Sequence, residues 1–364
     1  PVYGAHLPLM NKDFPESRQP EIKGMTSDEI AARLEPIGAD ARTARRIQGA
    51  IFRTGKFPRS LPEISDRLLS EASRLFSVSS LECAEKAVSQ EDGFVRYLFR
   101  APDGAVFETV RIPLLHKPGE EKYIVCVSSQ SGCAMGCTFC ATGALGFTRD
   151  LGAWEIVDQV MKVRSDSDHP VRGVVFMGMG EPMLNYENVM RAAEIMTEPS
   201  ALAISSKTIT ISTAGVVPGI RRFTAERRPY KLIVSLSGAT SEKREKLIPA
   251  ERKYPLPDIV AALREYHACT HERVTLAWTM VSGFNCAQSD AAELAELLEG
   301  FPVNMVRIDV NDPSGRMRPP ADEERNSFLD HLRHHLGMPV VRRYSGGKDI
   351  AAACGMLAGG QLRT

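Results

Sequence analysis

Three cysteines packed into one short stretch are the densest chemical feature of the chain. In Ser131-Gly-Cys-Ala-Met-Gly-Cys-Thr-Phe-Cys140 the thiols of Cys133, Cys137 and Cys140 are separated by three and then two residues. Three thiolates on one loop can wrap an iron–sulfur cluster, and supplying three ligands rather than four leaves one iron open. An open iron can chelate the amino and carboxylate groups of S-adenosylmethionine and pass one electron into its sulfonium. The alternative is a zinc site, which needs a fourth ligand, and no further Cys or His stands close by in the sequence. Within the loop, Met135 and Phe139 are suited either to shielding the cluster or to touching a ligand.

A second constellation is Phe176-Met-Gly-Met-Gly-Glu-Pro182. Its glycines suit a chain reversal, but a reversal alone leaves Glu181, a carboxylate able to face a cation, without a reason. Eight cysteines are present in all, and with no signal-peptide pattern at the start a disulfide framework is not expected. Cys126 lies in Cys126-Val-Ser-Ser-Gln-Ser-Gly-Cys133, and Cys354 in Gly347-Lys-Asp-Ile-Ala-Ala-Ala-Cys-Gly355. Taken singly, a Cys among alanines reads as a small buried apolar side chain. Cys83 and Cys269 read as ordinary core positions, and Cys286 stands in a loop expected at the rim of the site.

Together these motifs carry a resemblance. The cysteine loop is similar to the CxxxCxxC signature of the radical S-adenosylmethionine superfamily, and the Gly180-Glu181 turn to that superfamily's GxxxGEP-like element. The contexts of Cys126 and Cys354, with Glu108-Thr-Val-Arg-Ile-Pro113, resemble the RlmN/Cfr family, which methylates adenosine carbons in RNA. The likeness runs from about Met25 to the end. It implies a partial (β/α)6 barrel with a small N-terminal α+β accessory domain, and a 4Fe–4S cluster on Cys133, Cys137 and Cys140. It also implies two S-adenosylmethionine molecules per turnover, one as methyl donor and one as radical source. In this role Gly180 and Glu181 receive the α-ammonium, and Ser212, Ser235, Leu236, Ser237 and Asn311 supply further cofactor contacts. Cys354 matches the methyl-carrying cysteine, Cys126 the cysteine that resolves it through a disulfide, and Glu108 a candidate proton acceptor. The implied product is 2-methyladenosine in 23S ribosomal RNA and also in transfer RNA, with a flavodoxin or ferredoxin as electron donor. C8 methylation, a paralogue acting on a small molecule or peptide, and a non-catalytic iron–sulfur or RNA-binding protein are the alternatives.

The chain departs from the family pattern at four places. Ser235-Leu-Ser-Gly238 stands for Ser-Leu-His-Ala, Gly283-Phe-Asn-Cys286 for Gly-Val-Asn-Asp, and Ile308-Asp-Val-Asn311 for Ile-Pro-aromatic-Asn. Gly355-Met-Leu357 stands for Gly-Gln-Leu. The first three fall where the later strands are expected to end, so the reading places them at the rim around nucleoside and target base.

These residues need elements to position them. Residues 1–24 show no period and read as an extended arm. Ile30, Leu34 and Ile37 recur at helical spacing behind Ser27, and helices are also expected at Ala44–Phe52 and Ile64–Phe76, making a helical domain over 25–80. Strand patterns at Glu82–Ser89, Phe94–Arg100 and Val106–Pro113, broken at Asp92-Gly93 and Asp103-Gly104, predict a β-meander over 81–121. From 122 to 340, apolar runs at Tyr123–Val127, Gly173–Met177, Thr208–Ile211, Leu232–Leu236, Val274–Met280 and Asn304–Val310 alternate with helical patterns. That alternation predicts an incomplete (β/α) barrel, with a doubly wound sheet as the alternative, and active groups at the strand C-termini. Residues 341–364 form a tail carrying Cys354.

Composition adds little. The chain has 364 residues and 45 basic against 45 acidic side chains, so overall charge announces no nucleic-acid partner. Locally, Ala41 to Ser60 holds Arg42, Arg45, Arg46, Arg53, Lys56 and Arg59 and no acid, either a solvated helix face or an RNA footprint. With no apolar run of membrane-spanning length, a soluble cytoplasmic protein is expected, and the opening Pro1 suggests a trimmed or processed start.

Overall fold

The computed structural model of the chain describes residues 19–114, 119–336 and 340–360; most of the expected N-terminal arm and the last four residues lie outside it. Its first body is helical: α1 (Ser27–Leu34), α2 (Ala41–Thr54) and α3 (Asp66–Ser73). Each begins on an oxygen side chain that accepts a backbone N–H, from Thr26, Asp40 and Ser65 respectively, which satisfies donors that a helix start leaves orphaned. Ile30, Leu34, Ile47, Ile51, Leu69 and Phe76 close a small core of their own. This body is tied to the rest by charge: the fully buried Lys23 donates to Asp158 at 2.6 Å and to the Ser79 carbonyl at 2.8 Å. The end of the predicted arm is therefore part of the interior.

A meander follows, β1 (Glu82–Val88), β2 (Val95–Arg100) and β3 (Val106–Leu114), antiparallel throughout. It is continuous with the larger sheet, because β3 pairs antiparallel with β4 (Lys122–Cys126). Past β4 a hairpin of β5 (Gln130–Gly132) and β6 (Phe147–Asp150) encloses the cysteine loop and the short α4 (Ala141–Leu145). Then strands and helices alternate: α5 (Ala153–Ser165), β7 (Val171–Phe176), α6 (Tyr186–Thr197), β8 (Ile209–Thr213), α7 (Val217–Ala225), β9 (Lys231–Ser235), α8 (Ser241–Leu247), α9 (Leu256–Thr270), β10 (Val274–Met280), α10 (Gln288–Leu297), β11 (Val303–Asp309), α11 (Asp322–Leu336) and β12 (Val340–Arg342).

The sheet order is β1-β2-β3-β4-β7-β8-β9-β10-β11-β12. From β4 onward every pairing is parallel, and strand order follows chain order without reversal. A doubly wound sheet requires a reversal point, so that alternative is excluded, and the arrangement is a partial barrel with separate edges at β1 and β12. The six predicted barrel strands each appear within two residues of their expected starts and ends. β12 and the β5–β6 hairpin were not predicted; strands of three or four residues leave too short a pattern to read. Cys83 is exposed rather than in the core, because β1 is an edge strand with most side chains open to solvent. Among the described residues, no helix is long and apolar enough to cross a membrane.

Candidate active site

The residues that start the site are stitched to one another before any ligand is considered. The N–H groups of Ser129 and Gln130 donate to the Met179 carbonyl at 2.8 and 3.2 Å, and the Met179 N–H donates to the Ser128 hydroxyl at 2.8 Å. The side-chain carbonyl of Gln130 accepts from the Glu181 N–H at 2.8 Å. The strand that leads into the cysteine loop and the turn after β7 are thus one unit. Gly180 is required in it: its φ is +100°, and a Cβ there would meet the Gln130 side chain at 2.6 Å.

Three walls hold the cysteine loop. The Cys133 N–H donates to the Gly146 carbonyl at 2.8 Å across the β5–β6 hairpin. The Thr138 N–H donates to the last carbonyl of α8, Leu247, at 3.0 Å. On the third side, the Ala141 N–H donates to the Gly355 carbonyl at 2.8 Å and the Thr142 hydroxyl to the Leu357 carbonyl at 2.6 Å. The tail is therefore a wall of the site rather than an appendage.

Cys133, Cys137 and Cys140 face one cavity of about 970 Å³, its open mouth included. Gly180, Glu181, Ser212, Ser235, Asn311 and Cys354 line the same cavity. The Glu181 carboxylate is buried and accepts the N–H groups of Met183 at 2.9 Å and Ala214 at 2.8 Å. Burial still raises its pKa above the ordinary carboxyl value, so a cation arriving beside it would relieve a real cost. Behind it, the buried Arg244 donates to the Ala214 carbonyl and to Glu251, the latter at 2.6 Å, a link that no sequence motif signals.

A smaller pocket of about 550 Å³ adjoins the cavity and shares Cys140, Cys354 and Gly355 with it. Cys126 opens into this pocket. Burial first, and then the neighbouring Cys354, push the Cys126 thiol up to about 12. Arg343, on the edge of both spaces, pulls the other way. The cluster thiols are raised for the same physical reason: burial pushes Cys133 up to about 12 and lifts Cys137 and Cys140, and the other thiols of the trio lift Cys137 further.

Not every expected residue reaches the site. Leu236 is fully buried, with its N–H on the Ala277 carbonyl at 3.0 Å. Ser237, at φ +56°, accepts from the Thr279 N–H at 3.2 Å, and its carbonyl accepts from Asn285 at 2.8 Å. Both belong to the wall behind the cavity, because β9 ends at Ser235 and the chain turns inward there. Glu108 also lies outside both spaces: its carboxylate pairs with the buried Arg96 and accepts the N–H groups of Ala358 at 2.7 Å and Gly359 at 3.2 Å.

The divergent positions divide, Asp309 bordering the cavity as expected and Cys286 lying outside it. Cys286 is buried. Asp309 pairs with Met280 across the β10–β11 ladder and so shares a sheet face with Trp278 and Arg307. That face is the helix side, since Trp278 stacks on Phe328 of α11 with ring centroids 5.9 Å apart. The Asp309 carboxylate lies 3.6 Å from the Arg307 guanidinium and 3.7 Å from that of Arg342. These substitutions repack the wall of the barrel.

Comparison with known proteins agrees with this geometry. Residues 127–297 match the profile of the Radical SAM superfamily. The chain is 45% identical to a probable RNA methyltransferase of Myxococcus xanthus, over 93% of this chain and 94% of that protein. It is 38% identical to the probable dual-specificity RNA methyltransferase RlmN of Heliobacterium modesticaldum, over 94% and 91%. The crystal structure of a radical SAM methyltransferase from Sphaerobacter thermophilus superposes with a TM-score of 0.84 at 34% identity, covering 93% of this chain and 99% of that one. The chain belongs to the RlmN-type radical SAM methyltransferases.

Radical SAM membership implies a 4Fe–4S cluster and S-adenosylmethionine, and the residues present fit both. Three thiolates on one loop suit the irons of a cluster and leave one iron open, and the trio fronts the cavity that Glu181 also lines. In this RlmN-type site Cys133, Cys137 and Cys140 would hold the cluster, and Glu181 lies in the same cavity with its carboxylate ready for a cation.

Proposed function

We propose that this enzyme methylates an sp² carbon of adenosine in RNA, C2 in 23S ribosomal RNA and in transfer RNA, with Cys354 as methyl carrier. The observation that carries the proposal is the joint placement of Cys126 and Cys354 in one pocket that opens onto the cavity of the cysteine trio. Holding a cluster requires neither of these thiols. RNA as substrate is supported by the relatives, which are named RNA methyltransferases, and by the surface of α2 and the loop after it, where Arg45, Arg53, Lys56 and Arg59 are exposed.

The residues divide the work as follows. Adenine C2 is electron-poor and has no lone pair with which to attack a sulfonium methyl. Cys354 does have one, and as thiolate it takes a methyl group by simple displacement. Gly180 and Glu181 orient the cofactor by its ammonium, with Ser212, Ser235 and Asn311 along the remaining wall. A bound cluster would supply one electron to a second S-adenosylmethionine, making it the radical source that activates the methyl carried on Cys354. Once that carbon is bonded to the base, Cys126 attacks the Cys354 sulfur. The adduct returns its odd electron to the oxidised electron donor and the base carbon gives up its proton. As the disulfide forms, the carbon–sulfur bond breaks toward the carbon, which takes up a proton to become the methyl group. Glu108 anchors the tail that carries Cys354, its carboxylate lying under the Ala358–Gly359 backbone. A flavodoxin or ferredoxin is the expected electron donor.

Mass spectrometry of protein incubated with S-adenosylmethionine is expected to find one added methyl group on Cys354. The variant Cys126→Ala is expected to retain RNA covalently at Cys354, and nucleoside analysis of the wild-type product to return 2-methyladenosine. A Cys354 that stays unmodified would sink the proposal.

A further inference from the structure

One cation at the site has no counter-charge. Arg343 follows β12 and is fixed by its N–H on the Arg307 carbonyl at 3.0 Å. It lines both the cavity and the Cys126–Cys354 pocket. Its neighbours Arg307 and Arg342 share Asp309. Among the described residues, the Arg343 guanidinium has neither an ion pair nor a hydrogen bond. A half-buried guanidinium left unpaired in this way favours an anion from outside.

The next residue points to the nature of that anion. Tyr344 lines the Cys126–Cys354 pocket and is 53% exposed, among the most open large apolar side chains of the described residues. One edge packs against Phe94 at 6.0 Å, and its hydroxyl donates to Asp92 at 2.9 Å. Asp92 also accepts the Gly347 N–H at 2.9 Å, so the acid at this lip is already engaged. The ring is held in place with much of its surface open. A guanidinium beside an open, immobilised aromatic ring is the pairing that grips single-stranded nucleotides, the cation taking phosphate and the ring stacking a base.

We infer that Arg343 and Tyr344 form a nucleotide clamp at the mouth of the methyl-transfer pocket. Arg343 takes the phosphate next to the target adenosine, and Tyr344 stacks the adjoining base. Chemistry on a base carbon requires the nucleotide to leave its stack, and the clamp holds its neighbours while it enters toward Cys354. The S-adenosylmethionine carboxylate is the other anion within the cavity. The clamp favours phosphate because its aromatic partner lies on the Cys126–Cys354 side and is not part of the cavity wall that holds Glu181.

This inference rests on RNA being the substrate, and equilibrium binding of an RNA hairpin with adenosines in its loop separates the two. Wild-type protein binding that hairpin without salt dependence would overturn the RNA reading itself. With salt-dependent binding established, Arg343→Gln is expected to lower the slope of log affinity against log salt by about 0.7, and Arg343→Lys to keep it. Tyr344→Leu is expected to weaken binding roughly 5- to 150-fold, the range for one lost base–aromatic stack. Tyr344→Phe, which loses the bond to Asp92 but keeps the ring, is expected to stay within about twofold, which a purely structural role for that bond would not allow. An unchanged slope in Arg343→Gln, equal losses in Tyr344→Leu and Tyr344→Phe, or a loss confined to S-adenosylmethionine affinity would each overturn the clamp.

Discussion

The side-chain amide of Asn311 donates to the carbonyl of Cys354 at 3.3 Å and to the hydroxyl of Ser345 at 3.1 Å, and that hydroxyl in turn accepts the Cys354 N–H at 3.0 Å. Asn311 stands just past the end of β11, so the barrel itself decides where Cys354, the proposed methyl carrier, rests. Removing this amide leaves the fold its core but frees the tail at the one residue whose position matters. Asn311→Ala is expected to cost about 1–2 kcal/mol in denaturant unfolding and to slow methyl transfer to Cys354 by about 100-fold. The transfer is followed by intact mass against time, and an unchanged rate would show that the tail is positioned by other contacts.

Cys126 and Cys354 share one pocket while both thiols are free. A mild thiol oxidant is therefore expected to join them before it joins any other pair. Peptide mapping without reductant should recover a single disulfide linking the two, and Ala at either position should abolish it. Cys83, exposed on the edge strand, should instead take up alkylating reagents in every variant. Recovery of Cys354 linked to Cys140 in place of Cys126 would remove Cys126 from the resolving role.

Gly180 separates site geometry from general backbone strain. Ala at this position would carry a left-handed φ and also drive a Cβ to 2.6 Å from Gln130. Gly104, at φ +87°, has nothing within 4 Å of the same added atom. Gly104→Ala is expected to cost about 1 kcal/mol and leave S-adenosylmethionine affinity intact. Gly180→Ala should cost about 1–3 kcal/mol and weaken that affinity at least about tenfold, as titration calorimetry would register. Equal effects of the two changes would mean that the stitch between Gln130 and Glu181 does not shape the cofactor site.

Much of this arrangement was legible in the sequence for a specific reason. Barrel strands buried on both faces, such as β7 and β10, leave nearly continuous apolar runs, and the cysteine spacing and Gly180-Glu181 turn are local. What was missed depends on register or on distant partners. Ser237 reads as a strand-end contact until β9 stops two residues earlier and turns it onto the Thr279 N–H. Asp309 reads as a rim residue and does border the cavity, but its pairing with Arg307 and Arg342 follows from the β10–β11 register and from β12. Arg343 and Tyr344 carry no motif at all; their role follows from a three-residue strand, β12, too short to leave a pattern.

Glu108 allows a test in which the sign is fixed in advance. Its carboxyl is buried beside Arg96 and under the tail, and burial pushes its pKa from 4.5 up to about 7. The unfolded chain releases this proton near pH 4.5, whereas the folded protein keeps it until about pH 7. Across that window the folded state binds more protons, so the group's contribution to stability falls as pH rises and is level above it. Glu108→Gln cannot titrate. Arg96 keeps Glu85 as a partner at 3.0 Å, so the variant's fixed deficit, about 1–3 kcal/mol for weakened hydrogen bonds, should narrow relative to wild type as pH climbs from about 5 to about 7. Urea unfolding of both proteins across that range measures the gap. A gap that stays level across that range would mean that Arg96 holds Glu108 ionised throughout, and the tail would then be pinned by a permanent ion pair.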